Sequence, residues 1–302
     1  MEDMITGLCP QCGHTLHIPA ELASFSCMYC GARLTKEQLA AEPPAAQEAD
    51  EDRAAYYDRA VSRLGWCIKN FGGYQKKIMR DVFFEAFETY ETGCAPVIQE
   101  LARGVAPERQ TQLLGRAAAA MLDELEAGWQ KKGDMEDEKI VLAIFFVPMV
   151  RKQQLPISEE FVTILQKQWV ERYPKSPFYL GDYESISGGF RKKFLGLCFI
   201  TTAVCQELGK PDDCEELTAF RAFRDGYLRS QPDGEALIRE YYNIAPGIVT
   251  CINTCSDRHA RYARIREEYL APCYQDLLAG RNESCKARYV RMVRDLEREY
   301  LS

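Results

Sequence analysis

Four cysteines near the start of the chain have the spacing of a metal site. Cys9, Cys12, Cys27 and Cys30 form the pattern C-x2-C-x14-C-x2-C. The two residues within each pair let one tight turn direct both sulfur atoms at a single point. Two such pairs supply four thiolates in a tetrahedron, which is the closed geometry of a structural zinc site. The spacing therefore predicts one Zn²⁺ ion held by these four residues.

The residues around the cysteine pairs resemble a zinc ribbon, and the resemblance covers roughly the first 35 residues. The segment Thr15–Pro19 and residues 25–26 are predicted to be short strands. A glycine follows each pair, at Gly13 and Gly31, where a positive φ would turn backbone N–H groups towards the sulfur atoms. So small a unit buries too little apolar surface to fold alone, and metal binding would supply most of its folding free energy.

Beyond the ribbon the chain is predicted to be mainly α-helical, with a flexible acidic linker before a helical body. Residues 36–53 carry six acids against Lys36 and Arg53 and show no apolar period. The body starts near Ala54, where apolar residues recur at helical spacing. An irregular stretch at 178–189 is read as a hinge. The predicted domains are the ribbon at 1–35, the linker at 36–53, and helical domains at 54–180 and 181–302.

Prolines are expected to interrupt the helices of the body. Gly93 and Pro96 are predicted to interrupt one helix, Pro148 to kink or end a second, and Pro246 to separate two more. The reason is that proline lacks a backbone N–H and its ring collides with the carbonyl group four residues earlier. These positions divide the predicted body into short helices.

A series of short motifs in the C-terminal part resembles one known domain. The motifs are Cys198-Phe199-Ile200 followed by Thr202-Ala203, then Leu217 with Phe223-Arg224-Asp225, then Tyr241-Tyr242 with Pro246, and Leu270 with Pro272. Together they resemble the bacterial CFI-box C-terminal domain over roughly residues 194–280. The family often carries Tyr-Gly after the box, where this chain has Cys205-Gln206. The resemblance implies a small helical domain of a bacterial protein and brings no particular activity.

Nine further cysteines lie outside the four of the ribbon, and three interpretations of them are open. The first is that they are small buried hydrophobic residues, as free cysteines usually are. The second is a further metal site built from Cys198 or Cys205 with Cys251 and Cys255, because residues four or seven apart share one face of a helix. The third interpretation is a nucleophilic Cys198.

A nucleophilic cysteine needs a group that favours its thiolate. His259 is the only histidine outside the ribbon and is therefore the candidate base for Cys198. Alternatively, Arg224 would lower the thiol pKa and Asp225 would orient the arginine. The weak candidates for a catalytic site are thus Cys198, Arg224, Asp225 and His259, and the simpler interpretation of the last three is ordinary surface and helix charge.

The charge and the motifs exclude several classes of protein. The formal net charge is −7, and the first 35 residues carry Glu2, Asp3 and Glu21 against Arg33 alone. This argues against a nucleic-acid partner, which requires a basic surface. The sequence contains no P-loop, GxGxxG, HExxH or GxSxG motif, which disfavours common NTPases, dehydrogenases, metalloproteases and hydrolases.

The cellular compartment is predicted from two features that the sequence lacks, a signal peptide and a membrane-spanning segment. The start, MEDMITG, has neither the basic residues nor the apolar region of a signal peptide. The apolar runs are too short to span a bilayer, so no membrane association is expected. Thirteen cysteines without an export signal indicate a reducing compartment, and we predict the cytoplasm.

The sequence favours a protein-interaction or adaptor role over catalysis. A metal-folded module on a tether, a negative charge and the absence of a familiar catalytic motif all point to a protein partner. Two alternatives remain open: a cysteine-dependent enzyme centred on Cys198, and a nucleic-acid-associated factor that uses the ribbon.

Overall fold

The computed structural model describes residues 4–11, 15–39, 50–191, 198–255 and 257–301. The chain divides into two units, Met1–Arg53 and Ala54–Ser302, which we name the ribbon unit and the helical unit. The described strands form two small sheets in the ribbon unit, and the helical unit consists mainly of helices joined by turns and short loops. The predicted fold class, mainly α with a small N-terminal β ribbon, is confirmed.

The ribbon unit contains two antiparallel hairpins. Strand β1 (Met4–Leu8) pairs with β2 (Thr15–Pro19), and β3 (Ser24–Ser26) pairs with β4 (Arg33–Thr35). Strands β2 and β3 lie where the sequence predicted strands, whereas β1 and β4 were not anticipated. Among the residues of this unit that the structure describes, the buried hydrophobic side chains are few: Cys9, Leu16, Ile18, Cys27 and Leu34. Two of these five are cysteines, so the small core and the cysteine site are one structure.

Both ends of the segment predicted as a linker are structured. A short 3-10 helix covers Lys36–Gln38, and α1 (Asp50–Leu64) begins four residues before the predicted start of the body. Residues 40–49 lie outside the described residues. An acidic residue such as Asp52 interacts favourably with the positive end of a helix. The acidic composition that suggested a linker therefore also suits a first helical turn.

The helical unit continues with short and long helices in sequence. They are α2 (Trp66–Lys69), α3 (Phe83–Gly104), α4 (Gln110–Gly128), α5 (Lys132–Val141), α6 (Val147–Lys152), α7 (Ser158–Arg172), α8 (Tyr183–Arg191), α9 (Phe199–Glu207), α10 (Glu215–Ala222), α11 (Gly234–Asn253), α12 (Arg258–Ile265), α13 (Ala271–Leu278) and α14 (Asn282–Tyr300). Further 3-10 turns cover Tyr74–Lys77 and Pro107–Arg109. Within the described ranges, none of these helices combines the length and the apolar character that crossing a bilayer requires.

Three π-helical segments extend or join these helices. Leu142–Phe146 joins α5 to α6, Phe223–Leu228 extends α10, and Arg266–Leu270 joins α12 to α13. Pro148 and Pro272 each stand two residues after the end of a π segment. The wider π turn moves the carbonyl group that the proline ring would otherwise strike. The helix therefore continues past Pro148, where the sequence predicted a kink or an end.

Two other prolines lie inside helices, contrary to prediction. α3 runs through Gly93 and Pro96, and α11 runs through Pro246. An interior proline costs about 3 kcal/mol, but each fully buried aliphatic side chain of such a helix contributes about 1.5–3 kcal/mol. Both helices bury many such side chains, including Val97 and Ile98 in α3. Burial of the helix face thus outweighs the local penalty.

Residues 54–180 and 181–302, predicted as two domains, share one hydrophobic core. The ring of Phe83 stacks on that of Phe190 with centroids 4.2 Å apart. The N–H group of Arg80 donates to the Asn243 carbonyl oxygen at 2.9 Å. The predicted hinge at 178–189 is partly helical, because α8 begins at Tyr183. Long-range packing, rather than a hinge, relates the two halves of the helical unit.

The closest backbone contact of this packing lies at Gly247, and it generates a first prediction. A Cβ atom at this position would lie 1.8 Å from the Ile78 carbonyl oxygen, which is backbone in a buried region. We expect Gly247→Ala to destabilise the protein by about 1–3 kcal/mol or more, as overpacking of a core does. Unfolding in urea, followed by circular dichroism, measures the change.

Gly188→Ala is the matched control, because no atom lies within 4 Å of a Cβ atom added to this residue of α8. We expect it to be neutral or to stabilise by up to about 1 kcal/mol through higher helix propensity. Equal stability of the two variants would contradict the close approach at Gly247.

Candidate functional site

Three of the four predicted metal ligands come together in the ribbon unit. The sulfur atoms of Cys9, Cys27 and Cys30 lie within 4.8 Å of one another, and those of Cys9 and Cys30 are 3.8 Å apart. Cys12, the fourth predicted ligand, lies outside the described residues. In the part of the chain that the structure describes, this is the only cluster of three or more residues with metal-binding side chains.

The hairpins determine where these sulfur atoms lie. Cys9 directly follows β1, and Cys27 directly follows β3. Between Cys27 and β4 the chain makes a tight turn, in which the Gly31 N–H donates to the Cys27 carbonyl oxygen at 2.8 Å. Gly31 has a φ of +75°, as predicted for the residue after the second pair. This left-handed conformation favours glycine because it lacks a Cβ atom.

The distances fit a tetrahedral thiolate site. Metal–sulfur bonds of about 2.3 Å in a tetrahedron place neighbouring sulfur atoms about 3.8 Å apart, and the Cys9–Cys30 separation is 3.8 Å. Cys9 and Cys27 are buried, whereas Cys30 is exposed. Thiolates are soft ligands. The three residues can therefore hold a metal ion.

The second predicted metal site is not formed among the described residues. Cys251 directs its thiol at the Tyr300 carbonyl oxygen, at 3.8 Å, and Cys255 directs its thiol at the Cys251 carbonyl oxygen, at 3.4 Å. The Cys205 sulfur atom instead lies 4.0 Å from that of Cys214. Sharing a helix face is not sufficient here, because each thiol packs against a different neighbour in the core. Of the nine cysteines of the helical unit, all except the half-buried Cys214 are buried.

Cys198 lies just before α9, against a buried arginine. The Nη1 atom of Arg224 is 3.6 Å from the Cys198 sulfur atom and donates to the Tyr242 hydroxyl oxygen at 3.0 Å. The other edge of the guanidinium group donates to both carboxylate oxygens of Asp225, at 2.8 and 2.6 Å. The predicted contact of Arg224 with Cys198, and the orienting role of Asp225, thus agree with the geometry.

The pKa of the Cys198 thiol differs from the prediction that Arg224 would lower it. Burial raises the pKa of the Cys198 thiol, and the positive charges of Arg224 and Arg221 offset this rise only in part. The start of α9 would also favour a thiolate, yet desolvation of the almost fully buried sulfur atom outweighs it. Cys198 is therefore a neutral thiol near pH 7 and not an activated nucleophile.

His259 does not lie where it could act as a base for Cys198. Its Nδ1 atom contacts Glu207, and its side chain is largely exposed. Glu207 is the last residue of α9, whereas Cys198 precedes the first. Nine helical residues span about 13 Å, so the two side chains lie at opposite ends of one helix. The predicted Cys198–His259 dyad is wrong, because proximity in the fold does not follow from the scarcity of histidines in the sequence.

Other polar groups near Cys198 were not predicted as site residues. The Tyr241 hydroxyl oxygen accepts the Ile200 N–H at 2.9 Å, and the hydroxyl groups of Thr201 and Tyr289 are 3.2 Å apart. Burial raises the pKa of both tyrosines, so both remain protonated donors. Tyr289 comes from α14, and no local sequence pattern connects it to Cys198. The tyrosine pair at 241–242 was noted only as part of the CFI-box resemblance.

Comparisons with known proteins do not assign the chain to a family. The chain matches no protein-family model, no curated protein and no solved structure. The resemblance of residues 194–280 to the CFI-box domain stays a prediction, and residues 194–197 of that match lie outside the described residues.

The neutral thiol generates a second prediction. Because its pKa is raised, less Cys198 is thiolate at any given pH, so alkylation by iodoacetamide should be slow at pH 7. Its rate should rise only well above the ordinary cysteine pKa of about 8.5. Peptide mapping by mass spectrometry gives the rate for each cysteine, and the half-buried Cys214 is the internal reference.

The pH at half-maximal rate separates ionisation from access, since poor access alone slows the reaction equally at every pH. Alkylation of Cys198 at pH 7 that is faster than that of Cys214 would revive the enzyme hypothesis.

Proposed function

We propose that the ribbon unit is a zinc ribbon and that it gives the chain an adaptor role, by presenting a small rigid surface to a protein partner. The observation that carries this proposal is the cluster of Cys9, Cys27 and Cys30 sulfur atoms. Apolar side chains project from the turn between the last two of these ligands. Cys12 would complete the metal site.

The ligand chemistry supports zinc in a structural role. Four cysteine thiolates leave no open coordination position for substrate or water, whereas catalytic zinc sites keep one. Zinc supplies folding free energy to units whose cores are too small to fold alone. In the described part of the ribbon unit, the apolar core consists of five buried residues, far fewer than an independent domain of this size needs.

The exposed residues support a binding surface. Met28 and Tyr29 lie between Cys27 and Cys30, and 78% and 58% of their surface is accessible. Tyrosine and methionine are enriched in protein interfaces. A turn whose two ends bind one metal ion is already rigid, so little conformational entropy is lost on association. The surface fits a protein partner with an apolar pocket that accepts these two side chains.

Two observations disfavour the alternatives. Among the described residues, Cys198 has neither the lowered thiol pKa nor the histidine base that a cysteine-dependent enzyme needs, since burial raises its pKa and His259 pairs with Glu207. A nucleic-acid partner requires a basic surface, whereas the first 35 residues contain three acids and only one basic residue, Arg33.

A third prediction concerns metal content. We expect one zinc per chain by inductively coupled plasma mass spectrometry, and less than about a tenth of that in Cys27→Ser, because loss of one thiolate breaks the tetrahedral shell. Cys214→Ser is the matched control, since it removes a cysteine of the helical unit outside the cluster.

Full zinc retention in Cys27→Ser, or loss of zinc in Cys214→Ser, would place the metal elsewhere and refute the zinc ribbon.

A fourth prediction concerns the surface. The double variant Met28→Ala/Tyr29→Ala should keep its zinc. Its affinity for the partner should fall at least about tenfold, as it does when interface anchor residues are removed. Affinity capture from cell extract with quantitative mass spectrometry identifies the partner, and titration calorimetry with that purified partner gives the change in affinity.

Glu21→Ala alters another exposed residue of the ribbon unit and should bind normally. If the double variant captures every protein that the unaltered chain captures, the adaptor surface is not at Met28 and Tyr29.

A further inference from the structure

Two thiols of the helical unit lie in contact at the end of α9 and have no part in the proposed adaptor role. Cys205 is in the last turn of α9, Cys214 directly precedes α10, and their sulfur atoms are 4.0 Å apart. Only residues 206–213 separate the two cysteines in the chain. The sulfur atoms of a disulfide are about 2.05 Å apart, so a shift of about 2 Å would join this pair.

The surroundings of Cys214 permit such a shift and give it access to solvent. Cys214 is half-buried, whereas the other eight cysteines of the helical unit are buried. The three residues before it, 211–213, are exposed. In the same loop, no atom lies within 4 Å of a Cβ atom added at Gly209. A loosely packed surface loop tolerates small displacements. Cys214 can therefore meet a dissolved oxidant and still reach Cys205.

The pair lacks the further ligands that a metal site needs. Structural zinc takes four ligands, and the cluster of Cys9, Cys27 and Cys30 is the only group of three or more metal-binding side chains in the described ranges. Two adjacent thiols without a third ligand are suited to oxidation instead, because a single S–S bond satisfies both. In the reducing compartment that the sequence predicts, disulfides are usually transient or redox-sensing.

We propose that Cys205 and Cys214 are an oxidation site, at which a hydroperoxide converts the two thiols to a reversible disulfide. The Cys214 thiolate attacks one peroxide oxygen, the O–O bond breaks, and the other oxygen leaves with a proton, so that Cys214 becomes a sulfenic acid. The Cys205 sulfur then gives up its proton and attacks the Cys214 sulfur, and the S–O bond breaks to release water. The two sulfur atoms lose two electrons in total, and hydrogen peroxide is reduced to two water molecules.

Exposure and ionisation determine which thiol reacts first. Burial, together with the neighbouring Cys214, raises the pKa of Cys205 to about 12. Almost none of Cys205 is thus thiolate near pH 7, and the thiolate is the nucleophile. Cys214 is the thiol that solvent reaches. The order of the two steps follows: Cys214 is oxidised first, and Cys205 closes the bond.

Two other thiol pairs in the helical unit provide internal controls. The Cys94 thiol points at the Cys67 carbonyl oxygen at 3.9 Å, and the Cys273 thiol points at the Cys285 carbonyl oxygen at 3.9 Å. All four side chains have 0% exposure. A hydrogen bond with the partner thiol and burial raise the pKa of Cys67 and of Cys273. These pairs combine proximity with no access, so they should stay reduced while the chain is folded.

Peptide mapping of the full chain, oxidised with hydrogen peroxide in the presence of zinc salt, tests the proposal. Unfolding in urea with excess iodoacetamide stops the reaction and blocks free thiols. Cleavage after glutamate places Cys205 in the peptide 185–207 and Cys214 in the peptide 208–215. We expect these two peptides to be joined, with a combined mass two hydrogen atoms lower, and dithiothreitol to separate them. Alkylated Cys214 should fall at least about tenfold as its thiol is consumed.

Three variants establish the partners and the order of the steps. In Cys205→Ser the sulfenic acid of Cys214 should persist and be trapped by dimedone. In Cys214→Ser the buried Cys205 should stay reduced over the same time. Cys198→Ser is the matched control, because Cys198 lies in the same cleaved peptide as Cys205, and this variant should still form the bond to Cys214. Circular dichroism checks the fold of each variant.

Each outcome decides the question. Cys214 that stays reduced, is oxidised to a sulfinic acid, or joins another cysteine overturns the proposal, and so does a bond that dithiothreitol does not break. Bonds of equal yield within the Cys67–Cys94 or Cys273–Cys285 pair overturn the role of exposure. Oxidation of Cys205 in folded Cys214→Ser overturns the order of the steps. If Cys205→Ser unfolds, the joined peptides of the unaltered chain and Cys214→Ser still test the site.

Discussion

The helical unit depends on the close approach of α11 to the segment before α3. Gly247 leaves no room for a side chain against the Ile78 carbonyl oxygen, and one turn earlier the Asn243 carbonyl oxygen accepts the Arg80 N–H. These contacts join residues that are more than 160 positions apart in the chain. α11, which belongs to the half 181–302, thereby joins the two halves of the unit, and they share a single core.

The position of α11 also determines the surroundings of Cys198. Tyr241 and Tyr242 project from one turn of α11, where the first accepts the Ile200 N–H and the second accepts from Arg224. The π segment Phe223–Leu228 carries Arg224 and Asp225. A buried guanidinium group is tolerated only when it is paired, and Asp225 supplies that pairing. The polar surroundings of Cys198 are thus a product of three helices rather than of one motif.

The ribbon unit is organised by a different constraint. Its core is too small to fold by burial alone, and two of the core residues are the thiols Cys9 and Cys27. The positive φ of Gly31 closes the turn that brings Cys30 to the same place. A proposed zinc ion would replace the missing core, and the turn that it fixes carries the exposed Met28 and Tyr29.

The sequence by itself determined the features that depend on neighbours along the chain. The spacing of Cys9, Cys27 and Cys30 predicted their cluster, since a two-residue turn is a local geometry. Helical periodicity predicted a mainly α fold, because apolar residues at intervals of three and four define one helix face. The same local reasoning failed at Pro96 and Pro246, where burial of the whole helix outweighed the penalty of one residue.

Only the tertiary structure decided which distant side chains meet. It separated Cys198 from His259 by the length of α9, directed Cys251 and Cys255 at backbone carbonyl groups, and brought Tyr289 of α14 into the neighbourhood of Cys198. It also reversed the expected effect on the Cys198 thiol. Arg224 does lie beside the sulfur atom, but desolvation, which no residue pattern reveals, raises the pKa more than the positive charge lowers it. Burial is a property of the assembled core, and therefore the sequence alone does not specify it.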